Sequence, residues 1–243
     1  LHPARRSQCA YFLEQTAGYY HYTVLIEEGL SYEPFTRALG ERPIVLHPDG
    51  DLTINYFDSG GLPLGQLQLA TAVALVARMI GEASDAEAQQ IRQALLAQYI
   101  NQLYEDTFEE WAKRHRENMP QIERMACATH RWKLEKMGVG VTDLEAFAEL
   151  RDRLNANNDE AQQFVAGIAE SEITKFLKQP QTERAVMAVA HAHYGRDDFP
   201  VHASLVELMQ FSRFPEHKKE EIDHLATLLS AWTAHGHYGR LFD

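Results

Sequence analysis

The pattern of hydrophobic and polar positions divides the chain into a strand-like beginning and a helical remainder. Runs of apolar and β-branched residues predict three strands, at 22–26, 43–47 and 52–56. Helical spacing predicts two short helices in the same region, at 8–17 and 32–39. The first quarter of the chain therefore has the pattern of an α/β protein.

From Leu64 onward the pattern changes to the period of helices. The first of these helices is marked by apolar and small residues at helical spacing, and Gly81 ends it. The marking residues are Leu67, Ala70, Thr71, Ala74, Leu75 and Arg78. A capping box formed by Ser84 and Glu87 predicts the start of the next helix. Its apolar face is expected to carry Ile91, Leu95, Tyr99, Leu103 and Phe108.

Later helix starts follow from proline and capping residues. Pro120 fits a first helical turn, Thr142 with Glu145 forms a capping box, and the segment 157–159 breaks and restarts the chain. Pro180 and Pro200 open two more helices. We expect about eight helices after Leu64, given the usual helix and loop lengths. A glycine-rich stretch before Leu64 predicts two parts, a strand-containing part at 1–63 and an all-helical part at 64–243.

Composition restricts the class of protein. The chain has 243 residues, of which 45% are apolar, enough for a substantial core. A net charge of −12 argues against a general nucleic-acid-binding surface, and no apolar run is long enough to span a membrane. The two cysteines, Cys9 and Cys127, give neither a disulfide framework nor a zinc site. We therefore expect a protein of the reducing cytoplasm.

Histidine and cysteine supply the remaining candidate chemistry. His191 and His193 are two residues apart, so on a helix they point in different directions and do not share a metal. His235 and His237 could chelate from a turn, but further ligands at suitable spacing are missing, and no metal site is predicted. Cys127 lies within a helical pattern, which favours a buried thiol over a nucleophile.

An aromatic series near the end of the long predicted helix allows two interpretations. Its members are Tyr99, Tyr104, Phe108 and Trp111. Amphipathic helices of this length usually bury such a face in their own domain, so a bundle core is favoured. The alternative is a surface that binds a partner protein.

Three stretches resemble a known family: residues 22–32, 52–64 and 238–243. They are similar to the large ATPase of type IV secretion and conjugative DNA-transfer systems, the fourth VirB protein and its TraC-like relatives. The resemblance implies a helix-rich α/β fold, a partial RecA-like P-loop NTPase sheet followed by a helical lid subdomain. It also implies ATP and Mg²⁺ as cofactors. The implied partners are further copies of the chain and other secretion-channel proteins, in the cytoplasm or peripheral to the inner membrane.

The phosphate-binding loop of that family is altered in this chain. The loop requires Gly-Lys followed by Ser or Thr, and no Gly-Lys pair is present. By position, Arg6 would take the place of the lysine and Ser7 that of the magnesium-binding hydroxyl. Arg5 replaces the second glycine, which obstructs close backbone approach to phosphate. Glu27, at the end of the first predicted strand, is interpreted as a solvated carboxylate and not as a catalytic one.

Two functions are therefore expected from the sequence. The first is a central portion of a conjugation or secretion ATPase, weakly active or inactive by itself, that couples ATP hydrolysis to channel assembly or substrate transfer. The second is a non-enzymatic helical scaffold or protein-interaction module. Neither assigns a catalytic residue. Asn55 and Asp58 could face a nucleotide, but their turn-forming hydrogen bonds explain them equally simply, and that interpretation is favoured.

Overall fold

The computed structural model divides the chain into two compact units, residues 1–47 and residues 48–243. It describes residues 32–38, 40–45, 52–60, 65–83, 85–138, 140–180, 182–211, 216–238 and 241–242. The described part of the first unit contains one short helix, α1 (Glu33–Ala38), followed by coil at 41–45. The helix predicted at 32–39 is confirmed, whereas the one predicted at 8–17 lies outside the described residues.

Nine α-helices form the described part of the second unit, close to the number that the sequence predicts. They are α2 (Gln66–Ile80), α3 (Ala86–Arg114), α4 (Met119–Trp132), α5 (Asp143–Asn155), α6 (Asp159–Ala166), α7 (Glu170–Phe176), α8 (Thr182–Ala190), α9 (His202–Phe211) and α10 (Glu216–Ser230). A π-helical turn (Lys133–Met137) extends α4, and two 3₁₀ turns (His191–His193 and Arg196–Asp198) follow α8. None of the helices described is long and apolar enough to cross a bilayer.

The longest helix, α3, lies at the centre of one group of helices. Its 29 residues extend about 43 Å, at the usual rise of 1.5 Å per residue. Helices α2, α8 and α9 pack against it, and α10 packs against α2 and α9. The buried face consists of Leu95, Leu96, Tyr99, Ile100, Leu103, Tyr104, Phe108 and Trp111. The predicted apolar face is therefore confirmed from Leu95 onward, whereas Ile91 is 45% exposed.

Helix α4 is the centre of a second group, which contains α5, α6, α7 and α8. Trp132 of α4 is buried against Phe164 of α6, with ring centroids 4.9 Å apart. Ion pairs surround this contact at the surface, among them Arg131 with Glu172 of α7. Since α8 packs against both α3 and α4, the two groups share one continuous core.

The predicted α/β fold class is wrong for the part of the chain that the structure describes. Residues 43–45 and 52–55 are coil, no strand occurs among the described residues, and the fold that they form is all-helical. Val45 and Leu52 are 50% and 49% exposed, so no neighbouring strand covers them. A run of β-branched residues forms a sheet only when other strands complete its hydrogen bonds and bury one face. A RecA-like sheet is therefore not supported. The strand predicted at 22–26 lies outside the described residues.

The segment 52–60 belongs by its contacts to the helical unit, because the compact units divide between His47 and Pro48. The sequence instead placed the change from a strand-containing part to an all-helical part after residue 63. The hydrogen bonds that hold this segment against the helices are described with the candidate site below.

Most helix starts that the sequence predicts are found. Pro120 lies in the first turn of α4, and Thr142 and Glu145 form the expected reciprocal capping bonds of α5. Asn158 caps α6. At α3 the cap is Asp85, whose carboxylate accepts a bond from the backbone N–H of Ala88 at 2.8 Å. Ser84, the predicted cap, lies outside the described residues.

Candidate functional site

Helix α2 carries uncharged residues on both of its sides. One side is buried through Ala72, Val76 and Ala77. The opposite side, here called the outer face of α2, consists of five exposed residues: Leu67, Ala70, Thr71, Ala74 and Arg78. Leu67 is the most prominent of them, with 76% of its surface exposed. A single exposed leucine is common, but together with its small, uncharged neighbours Ala70, Thr71 and Ala74 it forms a continuous patch that is a candidate contact for another surface.

The five residues of the outer face are among the six that marked this helix in the sequence. Their spacing correctly predicts a helix that ends at Gly81, which has a φ of 86°. In the structure, however, the spacing marks the solvent side, and the residues between them form the buried side. The period of 3.6 locates a helix, but it does not say which side is buried when both sides are apolar.

The outer face offers little hydrogen-bonding capacity. Thr71 donates its hydroxyl to the carbonyl of Leu67 at 2.8 Å, within the helix. Arg78, at the end of the face, lies 3.8 Å from Glu82, and both side chains are more than 80% exposed. The face therefore favours contact with an apolar surface and has no group suited to catalysis.

Residues 52–60 form a second notable feature, an extended segment here called the strap. Phe57 of the strap is buried, with 1% of its surface exposed. The hydroxyl of Tyr104, in α3, donates to the carbonyl of Phe57 at 2.9 Å. The side-chain amide of Asn55 donates to the carbonyl of Pro200 at 3.0 Å. Side chains thus hold the strap against the helices, and one backbone bond adds to them, from the N–H of Ile54 to the carbonyl of Leu241 at 2.8 Å.

His202 makes two hydrogen bonds that fix its tautomer. Its Nε2 lies 2.9 Å from the carbonyl oxygen of Leu229, which can only accept, so Nε2 carries the proton. The other ring nitrogen, Nδ1, then accepts the hydroxyl proton of Tyr56 at 2.6 Å. His202 is fully buried. The imidazole therefore links the strap to α9 and to the last turn of α10.

Asn55 and Asp58 have the structural roles that the sequence favoured. The Oδ1 of Asn55 accepts the N–H of Phe57 at 3.0 Å, and the Oδ1 of Asp58 accepts the N–H of Gly60 at 2.7 Å. These are local turn bonds of the kind that both residue types commonly make. They do not form a nucleotide site in the part of the chain that is described.

A third feature is a group of buried rings, here called the His191 cluster: Tyr104, Trp111, His191, Tyr194 and Phe199. The ring of His191 lies 4.7 Å from that of Tyr194 and 5.5 Å from that of Tyr104. Among the described residues, neither ring nitrogen of His191 has a hydrogen-bond partner, nor do Trp111 Nε1 and the Tyr194 hydroxyl. Unpaired buried polar groups cost stability, so their concentration in one place is unusual.

A shallow cleft of about 320 Å³ lies between α3 and α8. Its lining is Glu105, Phe108, Glu183, Arg184 and Met187.

The described residues contain no group of three histidine, cysteine or acidic side chains that could hold a metal ion. Cys127 is buried, and burial raises the pKa of its thiol, which disfavours the reactive thiolate. Burial therefore does not activate Cys127 as a nucleophile.

The residues proposed from the sequence for ligand binding have separate outcomes. Arg6 and Ser7, the proposed phosphate and magnesium ligands, lie outside the described residues, so the structure does not test them. Glu27, which the sequence interpreted as a solvated carboxylate, also lies outside them. The aromatic series of α3 is buried, with Tyr104 and Trp111 exposed by 2% and 1%. The interpretation as a bundle core is therefore confirmed, and this series is not available to a partner.

Comparison of the chain with known protein families, with curated proteins and with solved structures gave no match.

The hydrogen bond between Tyr56 and His202 predicts a specific loss of stability. Tyr56→Phe removes the hydroxyl and leaves the buried Nδ1 without that donor, which is expected to lower the free energy of unfolding by about 1–3 kcal/mol. Urea unfolding followed by circular dichroism measures the change. Tyr238→Phe is the matched control, because Tyr238 is 40% exposed. Equal effects of the two substitutions would contradict a structural role for this bond.

Proposed function

We propose that the protein is a non-catalytic helical scaffold that assembles with a second copy of itself through the outer face of α2. The observation that carries the proposal is the exposure, on an acidic protein, of a helix face that has no carboxylate and a single charge, Arg78. Leu67 is 76% exposed, and Ala70, Thr71 and Ala74 are exposed beside it. Helix α9 also has one charged residue and an exposed apolar side chain, Phe211 at 81%, but its charge is a carboxylate, Glu207, whereas that of α2 is an arginine.

The composition of α2 supports an interface. Its 15 residues include one charged residue, Arg78, whereas the chain as a whole is 24% charged. At that share, a helix of 15 residues would carry between three and four charges (0.24 × 15 = 3.6). A surface helix normally places charged residues on its solvent side. Helices that lack them are usually covered by another surface.

The charge of the outer face permits a second copy as the occupant, although the net charge of the chain does not itself favour one. Two copies that each carry −12 repel one another wherever carboxylates meet. The outer face of α2 contains no carboxylate and one arginine. It therefore allows two acidic chains to approach without bringing like charges into contact.

The order of residues along α2 also fits a two-fold pair. In an antiparallel arrangement centred between Ala72 and Val73, Leu67 lies opposite Arg78 of the second copy, and Thr71 lies opposite Ala74. Small residues at the centre let two helices approach closely. The aliphatic part of Arg78 can then cover Leu67 while its guanidinium remains in water. Each contact occurs twice, as two-fold symmetry requires.

The size of this surface limits the affinity. A single pair of 15-residue helices buries less than the roughly 1,200 Å² of a standard interface. Affinity depends on packing as well as on area, and an interface of this size belongs with the weak complexes. We therefore expect a reversible dimer with a Kd on the order of micromolar.

The first test of self-assembly is the substitution Leu67→Glu. It removes the largest apolar contact and places a carboxylate opposite an acidic partner. Burial of a leucine contributes about 1.5–3 kcal/mol, so the dimer Kd is expected to rise at least tenfold. Sedimentation velocity over a range of protein concentrations measures the dimer fraction of the wild type and the variant.

The matched control is Leu134→Glu, which makes the same chemical change at another exposed leucine. Leu134 is 60% exposed and lies in the π-helical turn after α4. This variant is expected to dimerise like the wild type. A wild-type protein that stays monomeric at all concentrations would refute self-assembly through α2. An equal loss of dimer in both variants would refute the choice of this face.

Nucleotide binding, the function implied by the resemblance to secretion ATPases, is a separate hypothesis with its own test. For a scaffold, we expect no saturable binding of a fluorescent ATP analogue in the presence of Mg²⁺. Fluorescence anisotropy measures this binding directly. Micromolar binding that is lost in both Arg6→Ala and Ser7→Ala would contradict a purely structural role. It would support those two residues as phosphate and magnesium ligands.

A further inference from the structure

We propose that His191 makes the segment 191–199 a pH-sensitive switch, which is packed while the imidazole is neutral and opens when the imidazole gains a proton. The segment contains both 3₁₀ turns and connects α8 to α9. Its rings cover the end of the buried face of α3. The proposal is independent of self-assembly through α2.

The surroundings of His191 in the His191 cluster are unfavourable for a charged imidazole. His191 is fully buried, and its neighbours are the rings of Tyr104, Tyr194 and Phe199, at 4.7–5.9 Å between centroids. Neither ring nitrogen has a partner among the described residues, so a proton added there would meet no acceptor in this arrangement. A buried charge without a partner is strongly unfavourable.

The titratable groups around His191 do not offset this cost. Tyr104 of α3 and Tyr194 of the segment have pKa values raised by burial, so both are neutral in acid and at neutral pH. Asp58 of the strap acts on Tyr104, and raises its pKa further. Burial alone lowers the pKa of His191, to about 4, without a contribution from any charged neighbour that is described.

The nearest charged pair lies at the edge of the cluster. Arg114, just after the last buried turn of α3, lies 3.2 Å from Asp198 of the segment. These two charges act on Tyr194, where Asp198 raises the pKa and Arg114 lowers it. His115, which follows Arg114, stacks on Trp111 with ring centroids 4.5 Å apart. His193, at the surface of the segment, has a pKa lowered by partial burial.

Besides the packing of its rings, few described contacts hold the segment in place. Within it, the N–H of Tyr194 donates to the carbonyl of His191 at 3.3 Å, and the N–H of Asp198 donates to the carbonyl of Gly195 at 3.1 Å. The N–H of Gly195 in turn donates to the carboxylate of Asp198 at 2.8 Å. The ion pair of Asp198 with Arg114 is partly exposed and therefore weak. Loss of the ring packing would release the segment while α3 and α8 remain folded.

The direction of the pH dependence follows from the two states of His191. In the opened segment the imidazole has its ordinary pKa, about 6.5, whereas in the packed segment burial lowers the pKa to about 4. Between these values the open state takes up a proton and the packed state does not. The packed state is therefore fully favoured above pH 6.5 and loses this advantage as the pH falls towards 4. At pH 5 the open population is expected to be about 30-fold higher than at pH 7.5.

Hydrogen–deuterium exchange with mass spectrometry tests the switch on the full chain. The rates for peptides that cover residues 191–199 are divided by the intrinsic rates at each pH. For the wild type, the opening equilibrium is expected to rise about 30-fold between pH 7.5 and pH 5. In His191→Phe, which keeps an aromatic ring and cannot titrate, the equilibrium is expected to change by less than about twofold.

The matched control is His224→Phe. His224 lies on the exposed side of α10, so its loss should leave the response of the segment unchanged. A segment whose protection is the same at both pH values in the wild type would overturn the proposal, as would the same pH response in His191→Phe. Nuclear magnetic resonance of the wild-type imidazole gives a second test without substitution. A His191 ring that titrates near pH 6.5 in the folded protein would also overturn it.

Discussion

The buried face of α3 is the constraint on which the rest of the second unit depends. A helix of 29 residues that carries eight buried side chains, several of them aromatic, cannot remain in water alone. Aromatic side chains bury large areas, and the end of this face from Tyr104 to Trp111 is the most aromatic part. Rings from the strap and from the segment 191–199 complete the cover.

This requirement explains why non-helical chain lies next to the core. Buried or partly buried coil must satisfy its backbone groups without the regular bonds of a helix or a sheet. In the strap, the carbonyl of Phe57 is bonded by Tyr104, while Asn55 and Tyr56 bond to Pro200 and His202. Together with a backbone bond from Ile54 to Leu241, these side chains take the place of the neighbouring strand that a sheet would supply. In the segment 191–199 it is side-chain atoms, those of His191 and Tyr194, that stay unpaired among the described residues.

The sequence predicts where helices start better than it predicts which distant residues come into contact. Thr142 with Glu145, and Asn158, start helices through bonds within a few residues, so their patterns can be read directly. Leu52 and Ile54 have strand propensity, but whether they form a strand depends on partners distant in sequence. Tyr56 meets His202 across 146 residues, and no spacing rule connects two such positions. The buried state of His191 is equally non-local, since it depends on rings from α3 and from the loop after α8.

Helix α2 differs from an ordinary amphipathic helix, and this difference is the basis of the proposed dimer. A helix with one polar side and one apolar side is fully explained by its own domain. Helix α2 is not, because Val76 faces the core while Leu67, on the opposite side, faces solvent. The sequence carries a signal of this exposed side that its spacing pattern does not use: positions 66–80 contain no carboxylate, in a chain with 35 acidic residues. Along α2 no carboxylate of the helix would repel a second acidic chain. In the proposed dimer, two copies that meet at α2 would bury Leu67 without bringing carboxylates of the two helices together.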